Sequence, residues 1–205
     1  MGLTIPVILN SVNNLSDARY AAGMGVDMMG FETETGGERY VSPELFKAIT
    51  SWLSGIQTVV EVTVLTPELL LTIQEHYQPD LIQFEKIEGV DSEALSSYAC
   101  IQKFTFEKGK EKESLEAIED QLTNNYSYIL FELSDWSDWR LHTDFLSELN
   151  ERNTILWALP IEKEDVELIQ ELELKGISLK GGDEQRPGWK DLDQLIDILE
   201  ALEEN

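Results

Sequence analysis

The sequence predicts a parallel α/β protein built from eight successive strand–helix units. Three observations carry that expectation. Short apolar runs alternate with helix-period segments from end to end. No linker or low-complexity stretch interrupts the alternation. The chain has 205 residues, 42% of them hydrophobic, enough to bury one core and too few for a second domain, so residues 1–205 are expected to form a single unit. Strands alternating with helices at this spacing imply right-handed crossovers into a parallel sheet. Eight units are what a closed (β/α)8 barrel requires. From the pattern alone, a doubly wound open sheet is the alternative.

The elements follow in order. Ile5–Leu9 reads as the first strand and Leu15–Gly23 as its helix, with Ser16 and Asp17 supplying N-terminal capping chemistry. Gly23 and Gly25 end that helix where positive φ is needed. Asp27–Glu32 is the second strand, and a loop with Gly36-Gly37 leads to Ser42-Pro43, which opens a helix over Pro43–Leu53. The later pairs are Thr58–Thr63 with Pro67–Tyr77, Leu81–Glu85 with Ser92–Ala99, and Ile101–Phe106 with Lys112–Leu122. Tyr128–Glu132 precedes Leu141–Asn150, Ile155–Leu159 precedes Asp165–Leu174, and Ile177–Lys180 precedes Asp191–Leu202.

The net charge of −25 excludes nucleic acid and anionic membranes as partners, because both reward lysine and arginine. Most of the acid falls on predicted helix faces such as Glu162–Glu173 and Glu200–Glu204, where it serves solubility. No apolar run approaches the roughly 20 residues of a membrane span, and the N-terminus lacks the basic residues and cleavage site of a signal peptide. The single cysteine, Cys100, excludes an intramolecular disulfide and lies in an apolar run that suggests an inert buried thiol. A cytoplasmic protein without a cofactor is expected.

In a (β/α)8 barrel the working end is formed by the C-terminal ends of the strands. Asn10 and Ser11 follow strand one; Glu32, Glu85 and Glu132 end strands two, four and six, each directly after a phenylalanine. Phe106-Glu107 repeats that pair, Glu61 lies within strand three, and strand eight runs into Lys180-Gly181-Gly182-Asp183. If Glu32, Glu85 and Glu132 converge, the mouth suits an amine, a many-hydroxyl sugar or a hard cation, and paired carboxylates form an acid–base couple. The competing expectation is that some point outward or are neutralised by Arg39, Lys86, Lys103, Lys108 or Lys180. His76 and His142 fall on predicted helices away from the mouth and make no metal site.

The stretch N-L-x-D-A from Asn14, A-A-G-M-G-x-D from Ala21, Gly30-Phe31 and R-Y-V-S-P-E from Arg39 resembles phosphoribosylanthranilate isomerase, the (β/α)8 enzyme of tryptophan biosynthesis. The resemblance favours the closed barrel. It implies an Amadori rearrangement of a phosphoribosyl-amine, in which a general acid opens the ribose ring and a general base removes the C2′ proton. In that family the base is a cysteine in K-x-C-G at the end of strand one. The register set by Asn14-Leu15 and Asp17-Ala18 puts Ile8 at the lysine, Asn10 at the cysteine and Ser11 at the glycine. An amide has no basic pKa near neutrality, and losing such a base costs about 10²–10⁴ in rate.

The family's general acid, an aspartate ending strand six, is matched by Glu132, which makes Glu132 the candidate acid, its carboxyl displaced by a methylene. The glycine-rich loop after it is shortened to Leu133-Ser134-Asp135-Trp136-Ser137 before Asp138-Trp139 resumes the family pattern; Trp136 either covers a ligand or caps the rim. The phosphate-binding G-G after strand seven becomes Leu159-Pro160, and proline offers no N–H. The second phosphate loop becomes Lys180-Gly181-Gly182, either a displaced anion site or a plain turn. Arg39 matches the arginine that contacts the substrate's carboxylate, or persists as an ion-pair partner of a rim glutamate. Gln83 keeps the glutamine of Q-L-H-G, whereas Glu85 and Lys86 replace the last two residues; Pro187-Gly188-Trp189-Lys190-Asp191 retains an architectural P-G-x-K-D. With Glu32, these positions outline a site for a small anionic or sugar-like molecule in a monomer or homodimer. The expected function is a diverged isomerase-like barrel with little or no Amadori activity. The alternatives are an active isomerase using Glu132 with Glu85 or Glu61 as base, or another sugar or sugar-phosphate chemistry through the glutamates.

Overall fold

In the computed structural model, residues 2–106, 109–110, 126–133, 136–181, 184–186, 189–190 and 193–203 are described. Eight parallel strands close into a barrel in sequence order. They are β1 (Val7–Asn10), β2 (Met28–Glu32), β3 (Gln57–Leu65), β4 (Leu81–Ile87), β5 (Ala99–Thr105), β6 (Tyr128–Glu132), β7 (Ile155–Ala158) and β8 (Ile177–Lys180). The helices are α1 (Leu15–Gly23), α2 (Pro43–Thr50), α3 (Pro67–His76), α4 (Ser92–Leu95), α5 (Thr143–Arg152), α6 (Val166–Glu171) and α7 (Asp193–Leu202). Pairing of β1 with β8, Val7 opposite Ile177 through Asn10 opposite Lys180, closes the ring. The barrel replaces the open-sheet alternative.

Several boundaries move. β1 reaches Asn10, which is therefore a strand residue. The helix expected over Ser92–Ala99 shrinks to the single turn α4, because Ala99 and Cys100 pair with Leu81 and Ile82 as the start of β5. The N-cap of α1 is Asn14, not Ser16 or Asp17: its backbone is extended and its Oδ1 accepts the Asp17 N–H at 2.9 Å. Gly25 takes positive φ (81°), whereas Gly23 does not. Ser42 and Pro43 open α2 as expected, with the serine hydroxyl accepting the Leu45 N–H. The expected helix over Lys112–Leu122, Glu107, Lys108, Gly182 and most of the P-G-x-K-D stretch lie outside the described residues.

Alternation along the strands divides the side chains into two sets. Ile8, Met28, Val59, Leu81, Ile101, Leu130 and Leu156 point inward and form a fully buried plug across the barrel. Each contributes roughly 1.5–3 kcal/mol on burial. Leu9, Phe31, Val60, Phe84, Phe131 and Trp157 point outward and pack under the helices. Phe31 meets Phe46 of α2 edge-on at 5.0 Å, and Phe131 meets Phe106 at 4.7 Å and Trp157 at 5.5 Å. This parity explains the Phe-Glu strand ends. The phenyl ring anchors the strand to the helix shell, so the next side chain is delivered to the barrel mouth. Cys100 is buried, and burial pushes its thiol up to about 11, which leaves it inert.

Candidate active site at the barrel mouth

Directly above the apolar plug, the next inward layer is polar. Asn10 from β1, Glu61 and Thr63 from β3, Gln83 from β4, Lys103 from β5, Glu132 from β6 and Ser178 and Lys180 from β8 line a cavity of about 340 Å³ together with Ser11, Glu32 and Glu34. Asn10, Gln83, Glu132 and Ser178 are buried. Two strands away from one another in the ring, β4 and β6 send Glu85 and Glu132 toward the same lysine.

That lysine is Lys103, whose Nζ lies 3.1 Å from Glu85 Oε1 and 2.8 Å from Glu132 Oε2. Lys180 Nζ donates to the other oxygen of Glu132 at 2.7 Å. The result is a charge chain, Glu85–Lys103–Glu132–Lys180, running along one side of the mouth. Desolvation alone would raise the Glu132 carboxyl, but its hydrogen bonds and charge contacts with Lys103 and Lys180 outweigh this and hold it at about 2. Desolvation would likewise lower Lys103, and its contacts with Glu132 and Glu85 hold it above the ordinary lysine value. Glu132 thus lines the mouth with its carboxyl held well below the ordinary carboxylate range by two lysines.

Glu61 occupies the opposite wall. Desolvation pushes its carboxyl up to about 7, against the lowering effect of the Ser11 N–H, which donates to Oε1 at 2.8 Å. Neighbouring Glu32 adds to the rise, whereas Lys103 and Lys180 oppose it. The carboxyl lies across Gly30: a Cβ there would meet Glu61 Oε1 at 1.9 Å and Asn10 Oδ1 at 2.7 Å. Glycine at 30 therefore leaves the volume that Glu61 fills, and Glu61 is a direct neighbour of Asn10. Asn10 Nδ2 donates to Ser178 Oγ at 2.8 Å.

The turn after strand eight, for which a displaced anion site and a plain turn were the alternatives, is described as far as Gly181. The Gly181 N–H donates to the Asn10 carbonyl at 3.2 Å, and its own carbonyl accepts Arg39 Nη1 at 3.2 Å. Lys180 is turned to Glu132. Within the described part of Lys180–Gly182, the Gly181 N–H is bonded to the Asn10 carbonyl, and Lys180 Nζ donates to Glu132 while its side chain stays exposed. Arg39 here links the β2–α2 loop to the end of β8. Beside this turn, Leu159, Pro160, Ile161, Leu179, Leu195 and Ile198 line a second, largely apolar cavity of about 250 Å³ that shares Glu132, Ala158, Ser178 and Lys180 with the mouth. Trp136 packs against His142 and Phe145, at ring distances of 4.9 and 5.6 Å, in the shell around α5. Among the described residues, no group of three or more His, Cys, Asp or Glu is placed to hold a metal ion.

Lys103 and Lys180 act as the neutralising cations named among the expectations, whereas Ser178 carries weight that the sequence did not suggest. The available signal was parity: Lys103 sits two residues after the plug residue Ile101, and Ser178 two before Lys180, which lines the mouth. Glu34 is similarly placed from the loop, its carboxylate accepting the Thr63 N–H and hydroxyl at 2.9 and 2.7 Å.

Nearly the whole chain superposes on solved phosphoribosylanthranilate isomerase barrels, and also, less closely, on 3-hexulose-6-phosphate synthase, with a TM-score of 0.63 at 10% identity over 97% of this chain. Phosphoribosylanthranilate isomerase from Thermus thermophilus is 22% identical, with a TM-score of 0.75 over 97% of this chain and 98% of that one. The fold is that of the phosphoribosylanthranilate isomerases. The Thermotoga maritima isomerase matches with TM-score 0.76 at 19% identity, over 97% of this chain and 98% of that one. The Thermococcus kodakaraensis isomerase matches with TM-score 0.76 at 16% identity, over 98% of this chain and all of that one. No protein-family model matches the chain, and no curated protein sequence matches it. Within the isomerase fold, the polar layer above the plug is where this chain's own chemistry is written.

Proposed function

We propose that the chain is a diverged isomerase-like barrel that does not run the Amadori rearrangement efficiently and keeps a small-molecule pocket at its mouth. The observation that carries this reading is the pinning of Glu132 between Lys103 and Lys180. With its carboxyl held at about 2 by the two lysines, Glu132 is overwhelmingly ionised at neutral pH. The position that resembles the family's acid therefore lacks a proton to give. Asn10, at the position of the family's base, cannot accept one. Commitment of the Gly181 N–H and the proline at 160 support the loss of a phosphate subsite as well.

The test is turnover of phosphoribosylanthranilate by the purified wild type beside Asn10→Cys and Glu61→Gln variants. The expected result is no wild-type turnover above background. Robust turnover would overturn the reading.

A second reading is favoured by one feature. Glu61, beside Asn10 and with a carboxyl near 7, has the pKa of a general base and the reach to replace the missing cysteine. In that case wild-type turnover is present and Glu61→Gln removes at least about 10²-fold of it.

A further inference from the structure

The two walls of the mouth are chemically opposite, and the difference indicates what enters it. On the side of β1 to β4 the lining is rich in oxygen acceptors. Glu32, Glu34 and Glu61 present carboxylates, and the amide oxygens Oδ1 of Asn10 and Oε1 of Gln83 are buried without a hydrogen-bond partner among the described residues. Asn10 and Gln83 are only 4% and 5% exposed, so bulk water does not satisfy these oxygens. On the side of β5 to β8 the cations are Lys103 and Lys180, and both are engaged by Glu132 and Glu85. The lining carboxylates Glu32, Glu34, Glu61 and Glu132 outnumber these two lysines. The chain's net charge of −25 extends the same sign outward and draws cations toward the mouth.

We propose that the mouth binds a small, unphosphorylated primary amine of the amino-alcohol or amino-sugar class, its ammonium held by Glu61, Glu32 and the amide oxygens of Asn10 and Gln83. An ammonium brings three donors and no acceptor, which complements a wall that holds acceptors in excess. A cavity of about 340 Å³ is far larger than a bare metal ion and falls within the range of small-molecule pockets. A phosphate group finds the opposite: carboxylates in excess, and a Gly181 N–H already bonded to the Asn10 carbonyl. The inference rests on the reading of the mouth as a retained ligand pocket.

Proton linkage is the signature. Glu61 faces Glu32 from β2, the Ser11 N–H beyond β1, Lys103 from β5 and Lys180 from β8, and Glu34 and Glu132 line the same space. Below neutral pH its carboxyl is largely protonated. An arriving ammonium favours the carboxylate, so binding at pH 6 releases close to one proton per ligand.

The experiment is calorimetric titration of the full chain at pH 6 with glucosamine and ethanolamine, beside glucose, ethylene glycol, ribose 5-phosphate and Mg²⁺ alone. Two buffers of different ionisation enthalpy report the released proton. The expected result is amine binding with a dissociation constant below about 1 mM, at least tenfold tighter than the hydroxyl counterparts. Glu61→Gln should abolish proton release. Gln83→Met should weaken binding about tenfold while leaving proton release in place, with circular dichroism and melting temperature confirming that both variants fold. Absence of amine heat, equal binding of glucose, tighter binding of Mg²⁺ or ribose 5-phosphate, or an unaffected Gln83→Met would each overturn the proposal. Amine binding alongside robust phosphoribosylanthranilate turnover would keep this inference and sink the functional reading, so the two fail separately.

Discussion

The backbone N–H of Ser11 donates to Glu61 Oε1 at 2.8 Å while Ser11 itself sits in the left-handed region, with φ of 59°. A β-carbon in that region costs about 1–2 kcal/mol, so the contact is made at the expense of local strain. The position is one where the resembling family carries glycine.

Ser11→Gly should therefore raise stability, by about 0.5–1 kcal/mol after the extra entropy of glycine in the unfolded chain is subtracted. Urea denaturation reads this as a shift in midpoint at constant slope. A lower midpoint would mean that the serine hydroxyl contributes more than the strain removes.

Glu61 and Glu132 should impose opposite pH dependences. Glu61 has a folded pKa of about 7, above the 4.5 of the unfolded chain, so the folded state holds the proton longer. Its contribution is most favourable below pH 4.5 and is lost as pH rises to about 7, amounting to roughly 2–3 kcal/mol. Glu61→Gln should thus stabilise the protein at pH 8 and change little at pH 4.5. Melting curves across that window decide it, and a pH-independent effect of the substitution would contradict the raised pKa.

Glu132 has a folded pKa of about 2, below its unfolded value, so its contribution is fully present above pH 4.5 and disappears as pH falls toward 2. Glu132→Gln should cost about 2–3 kcal/mol at pH 7, discounted for the solvent-exposed Lys180 and including the partial stranding of Lys103. The penalty should shrink as the pH falls below 4.5. A cost that persists unchanged near pH 2 would show that packing, not charge, holds the residue.

Gly30→Ala should be more damaging than an alanine in a strand ordinarily is. Its methyl would meet Glu61 Oε1 at 1.9 Å, and moving that carboxyl breaks the Ser11 contact. A loss of about 1–3 kcal/mol is expected. If Glu61→Ala in the same background restores most of it, the clash is located at that carboxyl; failure of the rescue would move it to the Asn10 amide, whose Oδ1 lies 2.7 Å from the added methyl.

Arg140 forms a two-pronged ion pair with Asp165, which also accepts the Glu162 N–H at 2.7 Å. Asp165 is buried, whereas Arg140 is partly exposed. Arg140→Met should cost about 1–3 kcal/mol, because it strands a buried carboxylate but leaves room for water to reach it. Asp165→Asn should cost less in that background than alone, and additivity in the double-mutant cycle would exclude coupling.

The strand–helix rhythm was readable because it depends on local periodicity, and β6 and β8 fall where Tyr128–Glu132 and Ile177–Lys180 were expected. The mouth was harder to read. That Glu85 and Glu132 meet on Lys103 follows from barrel stagger and from long side chains leaning across strands, neither of which leaves a mark in spacing. Glu61 could be located in strand three, but its raised pKa arises from burial at the mouth and from Glu32 across the strand pair, against the lowering Ser11 N–H, and none of these is visible in local spacing. The turn at Gly181 read more readily as a simple turn than as an anion cradle, and the hydrogen bond from its N–H to the Asn10 carbonyl is a contact that no spacing foretells.

The Phe-Glu strand ends separate two jobs by a single backbone step. The ring holds the strand to its helix, and the carboxylate faces the ligand space. Specificity can therefore be rewritten one inward side chain at a time without loosening the shell, whereas a one-residue slip would exchange the two faces and ruin both at once. Such an architecture lets a barrel change its ligand by point substitution long after its scaffold has stopped changing.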